Sequence, residues 1–592
     1  MPGTACERHD DAVHDRILAQ SWRVDETWLL WLPTRPKLPQ SGSDTVVQPT
    51  TKAVPSASPL SVLALAFAPR YITYTLSLIA TAAFGAASFV DSWFLLPFAA
   101  AAALALIGTR DFFQKSHSIL RNYPIAAHIR FLLEEIRPEI RQYFLESDTD
   151  GMPFNRDKRS IVYQRAKAAL DKRPFGTQLD VYQTGFEWVN HSLAPKPHAN
   201  ESFRITVGGP DCLQPYSLSV FNVSAMSFGA LSANAVRALN KGAALGGFAH
   251  DTGEGGFSQY HREHGGDIIW EIGSGYFGCR NDDGSFSPER FVAQAKEPQV
   301  KMIEIKLSQG AKPGHGGVLP GPKVSAEIAA ARGVPQGVDC VSPACHPAFS
   351  TPLGLVQFIA QLRELSGGKP VGFKLCIGHP TEFLGICKAM LQTGIYPDFV
   401  VIDGSEGGTG AAPLEFLDHV GTPLRDGLVF AHNALVGLGI RDRIKIGAGG
   451  KITSAFDMAR VMALGADWCN AARGFMFAVG CIQSQSCHTD RCPVGVATQD
   501  KVRQRALVVP DKAQRVAQFH KSTVTALGEL IGAAGLAHPS ELKPHHISRR
   551  LGPSQSATFA EIYRFLRPGE ILDGTDHPAF VHSWPNARAD AF

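Results

Sequence analysis

Cys481, Cys487 and Cys492, in the segment CIQSQSCHTDRCPVG, follow the spacing CxxxxxCxxxxC with Pro493 directly after. Three thiolates suffice for the three irons of a 3Fe–4S cluster, whereas two-iron and four-iron clusters ordinarily take a fourth ligand. Zinc would want a fourth ligand too, such as His488, and buried thiols without metal are a third reading. Spacing alone leaves these open. The chain's eleven cysteines are an odd number scattered through apolar runs, which fits a reducing compartment better than a disulfide scaffold.

A loop of cysteines needs a scaffold. Between about 204 and 500 the sequence repeats a short β-rich apolar run followed by a helical stretch. The runs fall near Ser219–Ser224, Gly247–Asp251, Met302–Lys306, Val338–Val341, Val371–Cys376, Phe399–Asp403, Ile444–Gly447 and Trp468–Asn470. Eight such pairs predict an α/β fold, a (β/α)8 TIM barrel with its chemistry at the carboxyl ends of the strands. A doubly wound sheet is the alternative, but no GxGxxG closes the first strand. Many of the 57 glycines lie at those strand ends, as βα loops require.

Around the barrel the chain divides further, as 592 residues exceed one compact core. Residues 1–58 combine mixed charge with a Pro/Ser/Thr-rich stretch and read as a flexible tail. Their early acids, Glu7, Asp10 and Asp11, disfavour a secretory or transit peptide. Within 59–110, Tyr71–Val90 and Trp93–Thr109 carry no charge and predict a two-helix transmembrane hairpin. Arg70 before it and Arg110, Lys115 and Arg121 after it place both ends, and the catalytic domain, on the cytoplasmic side of the cytoplasmic membrane. Residues 111–203 read as juxtamembrane helices and an irregular approach, and 501–592 as a helical C-terminal appendage. A net charge of +3 without a basic, aromatic-laced run excludes a nucleic-acid footprint.

The segments SAMSFGALS (224–232), TGEGG (252–256), IEIKLSQGAKPGHGG (303–317), DGSEGGTGA (403–411) and CPVGVATQD (492–500) resemble, in this order, the FMN and iron–sulfur domain of glutamate synthases. The likeness spans about 204–500 and is stronger to stand-alone, single-subunit members. It implies an FMN site in which Ser224, Ala225 and Met226 lie beside the isoalloxazine ring and Lys374, in GFKLC, sits near the flavin pyrimidine. For the phosphate it implies Gly449 and Gly450 in GAGG and Ala472 and Arg473 in NAARG, with Gly407 and Gly408 allowing close backbone approach. It also implies that Cys481, Cys487 and Cys492 hold a 3Fe–4S cluster.

On the substrate side the resemblance places Lys306 and Gln309 facing the flavin, with Lys312 in the same third-strand loop, and makes Glu254 a link to the ammonia source. The implied reaction adds ammonia to 2-oxoglutarate and reduces the imine by hydride from FMN. Several positions depart from the pattern: His315 stands where larger relatives have Glu, Ser285 where an Arg is expected, Asp251 where an Asn precedes TGEGG, and Ser405 where a His is expected. These departures favour a second reading, another keto or amino acid in an N-methylglutamate synthase-like reaction. A third is a membrane electron-transfer subunit without carbon chemistry. The region before the barrel leaves no room for an amidotransferase domain, and no nicotinamide fingerprint appears. Electrons are therefore expected from an external donor such as a ferredoxin or a reductase subunit.

Overall fold

The computed structural model describes residues 67–197 and 202–592, so the expected tail over 1–58 lies outside the described residues. The chain forms two compact units, through Arg130 and from Phe131 onward, and the first therefore extends beyond the expected boundary at 110.

In the first unit, helices Ile72–Ala87 and Leu95–Phe113 pack side by side, joined by a short turn in which Asp91 caps Trp93 N at 3.0 Å. Small residues permit the close approach: a Cβ on Gly108 would meet the Tyr74 ring at 2.4 Å, and Tyr74 shares a hydrogen bond with Thr109 at 2.9 Å. The expected hairpin is thus formed as a helix pair, but its first helix has 16 residues, about 24 Å at 1.5 Å per residue, short of a hydrocarbon core of about 30 Å. The twenty uncharged residues do not all become helix because Ser88 to Val90 are taken up by the turn into Asp91. Among the described residues one helix, Ser92–Phe113, is long and apolar enough to cross a membrane.

The second unit is built on a closed barrel of eight parallel strands, each hydrogen-bonded to its neighbours in chain order. They are β1 Phe221–Val223, β2 His250–Asp251, β3 Ile268–Ile272, β4 Val300–Lys306, β5 Val371–Leu375, β6 Phe399–Asp403, β7 Lys445–Gly449 and β8 Trp468–Ala471. Helices follow the strands and bury their apolar stripes against them; Ala233–Gly246, for example, begins at a Ser232 cap and ends at Gly247, whose φ of +65° suits a residue without Cβ.

One of the expected strands needs correction, and one barrel strand was missed. Val338–Val341 is no barrel strand: Cys340–Val341 pairs antiparallel with Val318–Leu319 inside the long excursion after β4, and Val338 and Val341 are exposed. The missing strand is β3, IIWEI, every residue of which is buried. Lys306, Gln309 and Lys312 therefore belong to the fourth strand and its loop, not the third. The expected domain end at 500 also falls ahead of helix Val509–Ala533, which packs on Ala233–Gly246, Ala455–Ala463 and Arg473–Val479 and so completes the helical layer.

A buried carboxylate helps tie residues before the barrel to it. Glu187, on strand Glu187–Val189, meets Arg425 at 2.5 Å, Arg549 at 2.8 Å and Arg460 at 3.1 Å. Burial opposes its charge, but the three guanidinium groups prevail and hold its carboxyl below the usual range.

Candidate functional site

At the carboxyl ends of the strands a cleft opens. It brings together Ser224 and Ala225 after β1, Gln309 after β4, Lys374 on β5, Gly407 and Gly408 after β6, Gly450 after β7, and Ala472 and Arg473 after β8. Nine of the expected residues, dispersed over 250 positions of sequence, thus share one wall-to-wall site. Four others are nearby but do not line it. Met226 is buried, Gly449 lies at the end of β7 beneath Asp403, and Lys306 and Glu254 are engaged with each other at 2.9 Å.

The glycines are needed for fit. A Cβ on Gly310 would sit 1.8 Å from the Gly404 carbonyl, so the loops after β4 and β6 touch backbone to backbone. Asp403 fastens the same approach by accepting from Gly310 N at 2.8 Å. A Cβ on Gly408 would reach the Arg473 guanidinium at 2.8 Å. Arg473 itself donates to the Glu406 carbonyl at 2.8 Å and lies over the Phe154 ring, 4.7 Å from its centroid. Burial lowers its pKa to about 10, against the pull of Asp403 and Glu406, so it stays charged at neutral pH.

Phe154 was not foreseen. It reaches the cleft from the segment ahead of the barrel, and Gln483 of the cysteine segment clamps it by accepting from its N at 3.2 Å and donating to its O at 3.1 Å. Lys451 lines the same wall with a φ of +50°, a conformation a non-glycine residue adopts only where its surroundings impose it.

Lys374 is set more deeply than expected, in a nest of carboxyl groups. Its ammonium is hydrogen-bonded to Glu271 on β3 and lies 3.0 Å from Glu304 on β4, with all three side chains buried. Burial alone would depress its pKa, but Glu271, Glu304, Asp251 and Asp403 together hold it well above the ordinary lysine value. The charged partner that a buried lysine needs is therefore supplied twice.

The other lysines are also engaged. Lys306 offsets the burial of Glu254 and keeps that carboxyl below its usual pKa. Glu254 packs so tightly that a Cβ on Gly317 would meet its Oε1 at 2.3 Å. Lys312 donates to the Gly316 carbonyl at 2.9 Å. His315 is exposed, against the Phe416 ring, and Ser285 bonds with Asp283. His346, passed over in the sequence, contacts the Lys306 carbonyl through Nε2 at 2.9 Å, and burial pushes its pKa down to about 4.

The cysteine segment forms a tight loop after helix Arg473–Val479. Gln483, Gln485 and Asp490 all have φ between +56° and +63°. Burial pushes the Cys481 thiol up to about 12, with Cys487 and Cys492 adding to the rise. Buried Lys323 donates to the Cys487 carbonyl at 3.2 Å and offers a positive charge to the group. His488, the candidate fourth ligand for zinc, is exposed.

Fold and cleft define a (β/α)8 barrel with a glycine-walled cleft at the carboxyl ends of its strands. The sequence model of the conserved region in glutamate synthase matches residues 207–537. The glutamate synthase large subunit-like protein YerD of Bacillus subtilis is 39% identical over 487 residues, covering 75% of this chain and 92% of that one. The archaeal glutamate synthase (NADPH) of Methanocaldococcus jannaschii is 37% identical over 315 residues, 53% of this chain and 58% of that protein, so the chain spans little more than half of such relatives. Among solved structures, a doubly substituted flavocytochrome b2 with sulfite bound aligns over 76% of this chain and 91% of its own at 11% identity, with a TM-score of 0.39. The chain belongs to the glutamate synthase family of FMN-dependent oxidoreductases.

Proposed function

We propose that the protein reduces an imine formed from an α-keto acid and ammonia, with FMN in the cleft and a 3Fe–4S cluster on Cys481, Cys487 and Cys492. The convergence of Lys374, the glycine loops after β6 and β7, and Arg473 on one cleft carries this reading. The residues fit FMN: loops without Cβ atoms admit a flat ring and its chain, Arg473 and the amides around Gly450 and Ala472 suit the phosphate, and Lys374 offers the pyrimidine edge a cation. FMN, when bound, accepts electrons and delivers them to carbon as hydride. The three thiols of this loop match in number a cluster of three irons, which would supply one-electron transfer from an external donor such as a ferredoxin or a reductase subunit.

The chain's own residues do the rest. Gln309 projects into the cleft and can orient a substrate carbonyl or imine. Lys306, positioned by Glu254 at 2.9 Å, can pass a proton toward a substrate nitrogen and regain one from solvent. A specific observation favours a substrate other than 2-oxoglutarate: Lys306 and Lys312 are both already bonded, to Glu254 and to the Gly316 carbonyl, which leaves few cations for a dicarboxylate. A panel decides between them. Acid precipitation should release the flavin as FMN, and the photoreduced enzyme, kept anaerobic, should be reoxidised by one keto acid with ammonia or an alkylamine. Release of FAD, or no reoxidation by any member of the panel, would overturn the reading.

We further infer that residues 71–109 insert into the cytoplasmic membrane with the barrel on the cytoplasmic side. Leu96 and Leu106 are 78% and 72% exposed on the charge-free run Trp93–Thr109, a surface suited to lipid and costly in water. A chain lacking residues 1–109 should leave the membrane fraction and retain FMN. If it stays there through high salt and alkaline washing, the hairpin is not the anchor.

A further inference from the structure

The barrel interior holds more acid than base. Asp251 on β2, Glu271 on β3 and Glu304 on β4 are each exposed by 2% or less, and each offers an oxygen within 4.8 Å of the others. Asp403 joins them from β6, while Lys374 on β5 is the cation among them and Arg473 stands beyond Asp403 at the mouth. Three carboxylates at this spacing would accommodate a divalent cation, but the Lys374 ammonium already lies against two of them. One lysine cannot neutralise them all, and an unpaired buried carboxylate is strongly disfavoured against its protonated form.

Glu304 Oε1 is buried, 3.0 Å from a Lys374 ammonium that is also hydrogen-bonded to Glu271, so the two glutamates share a single positive charge. Asp251 receives Gly253 N on Oδ1 at 2.9 Å and otherwise faces the glutamates. Burial raises the Asp251 pKa well above the ordinary range, with Glu304 adding to it. Burial likewise lifts Glu304 to about 7, although Lys374 pulls it down, and it raises Asp403. A group that titrates near neutrality responds most to a change of charge nearby.

We propose that Asp251, Glu271 and Glu304 form, through Lys374, a proton store coupled to the charge of the ring bound in the cleft. The inference rests on the FMN reading. When two electrons and one proton enter the ring, its net charge becomes more negative by one, and the store takes one further proton from solvent. When hydride leaves for substrate, that proton is released. Lys374 is the link because it lines the cleft while its ammonium contacts both glutamates. Asp251 replaces the asparagine expected from the family resemblance, so this chain carries an ionisable group where that pattern has none.

The test is the pH dependence of the flavin midpoint potential, measured by spectroelectrochemical titration of the purified holoprotein between pH 6 and 8. For a two-electron couple a tenfold change in equilibrium constant is about 30 mV, so one proton gives about 30 mV per pH unit and two give about 59 mV. The wild type should show the steeper slope with the absorption spectrum of an anionic reduced ring, and Glu304→Gln or Asp251→Asn should bring it toward the shallower one. A shallow wild-type slope overturns the store. So does a steep slope with a neutral reduced ring, because the second proton is then on the flavin, or a steep slope that survives in both variants. A preparation without flavin overturns the FMN reading as well, so the two failures are told apart.

Discussion

Serine at position 487 should leave the barrel folded and FMN bound while iron content and donor-driven turnover fall to background. Cys487 opens a short turn, Cys487–Thr489, outside every barrel strand, and its neighbours in the loop are bonded to one another, with Thr489 donating to Ser486 O at 2.8 Å. Little packing is lost on replacing sulfur by oxygen there. The ligand is lost entirely, because a serine hydroxyl does not ionise at neutral pH whereas a metal-bound thiol does. Burial and the neighbouring sulfurs hold the thiols of Cys481 and Cys487 above their usual pKa, with Lys323 opposing at Cys487. Loading iron must therefore displace protons, and iron retention should weaken as pH falls. Iron analysis and single-turnover reoxidation after photoreduction check this together. Donor-driven turnover at the wild-type rate in Cys487→Ser would overturn electron entry through this loop.

The glycine-rich strand ends were legible in sequence because they obey a local rule: βα loops that touch backbone to backbone need residues without Cβ. The strand β3 was not legible for the opposite reason. Its IIWEI carries Glu271 in a position that faces the barrel interior, and a buried glutamate breaks the apolar run by which a parallel strand is recognised. Val338–Val341 has the apolar run without the burial, since it pairs only within the excursion after β4. Helix Val509–Ala533 looked like an appendage because the cysteine loop separates it from the eighth strand, and proximity in sequence says nothing of which groove a helix fills. The hairpin was overestimated in its first half for a simpler reason. Absence of charge marks what lipid tolerates, whereas helix length is also set by where the chain must turn. Phe154 and Gln483 meet across more than 300 residues, a pairing that no local pattern encodes.

Lys374 shows the same limit and has the largest structural consequence. Its role beside a flavin follows from the resemblance, but its two glutamate partners lie on other strands and appear only when the barrel closes. Replacing Lys374 with methionine keeps most of its apolar stem and removes its charge, leaving the buried Glu271 and Glu304 without their shared cation. Breaking a buried ion pair from one side costs about 3–5 kcal/mol, so the Lys374→Met barrel should melt well below wild type at pH 8. The sign with pH follows from linkage. Without the lysine both carboxyls have folded-state pKa values raised above their unfolded ones, so their contribution is intact at low pH and is lost as pH rises through the folded values. The deficit should therefore narrow at pH 5.5, where the glutamates take up protons, and adding Glu271→Gln and Glu304→Gln to Lys374→Met should restore much of the melting midpoint at pH 8. An equal deficit at both pH values, or no recovery in the triple variant, would mean that the lysine acts through packing of its aliphatic stem and that the buried charges do not set its worth.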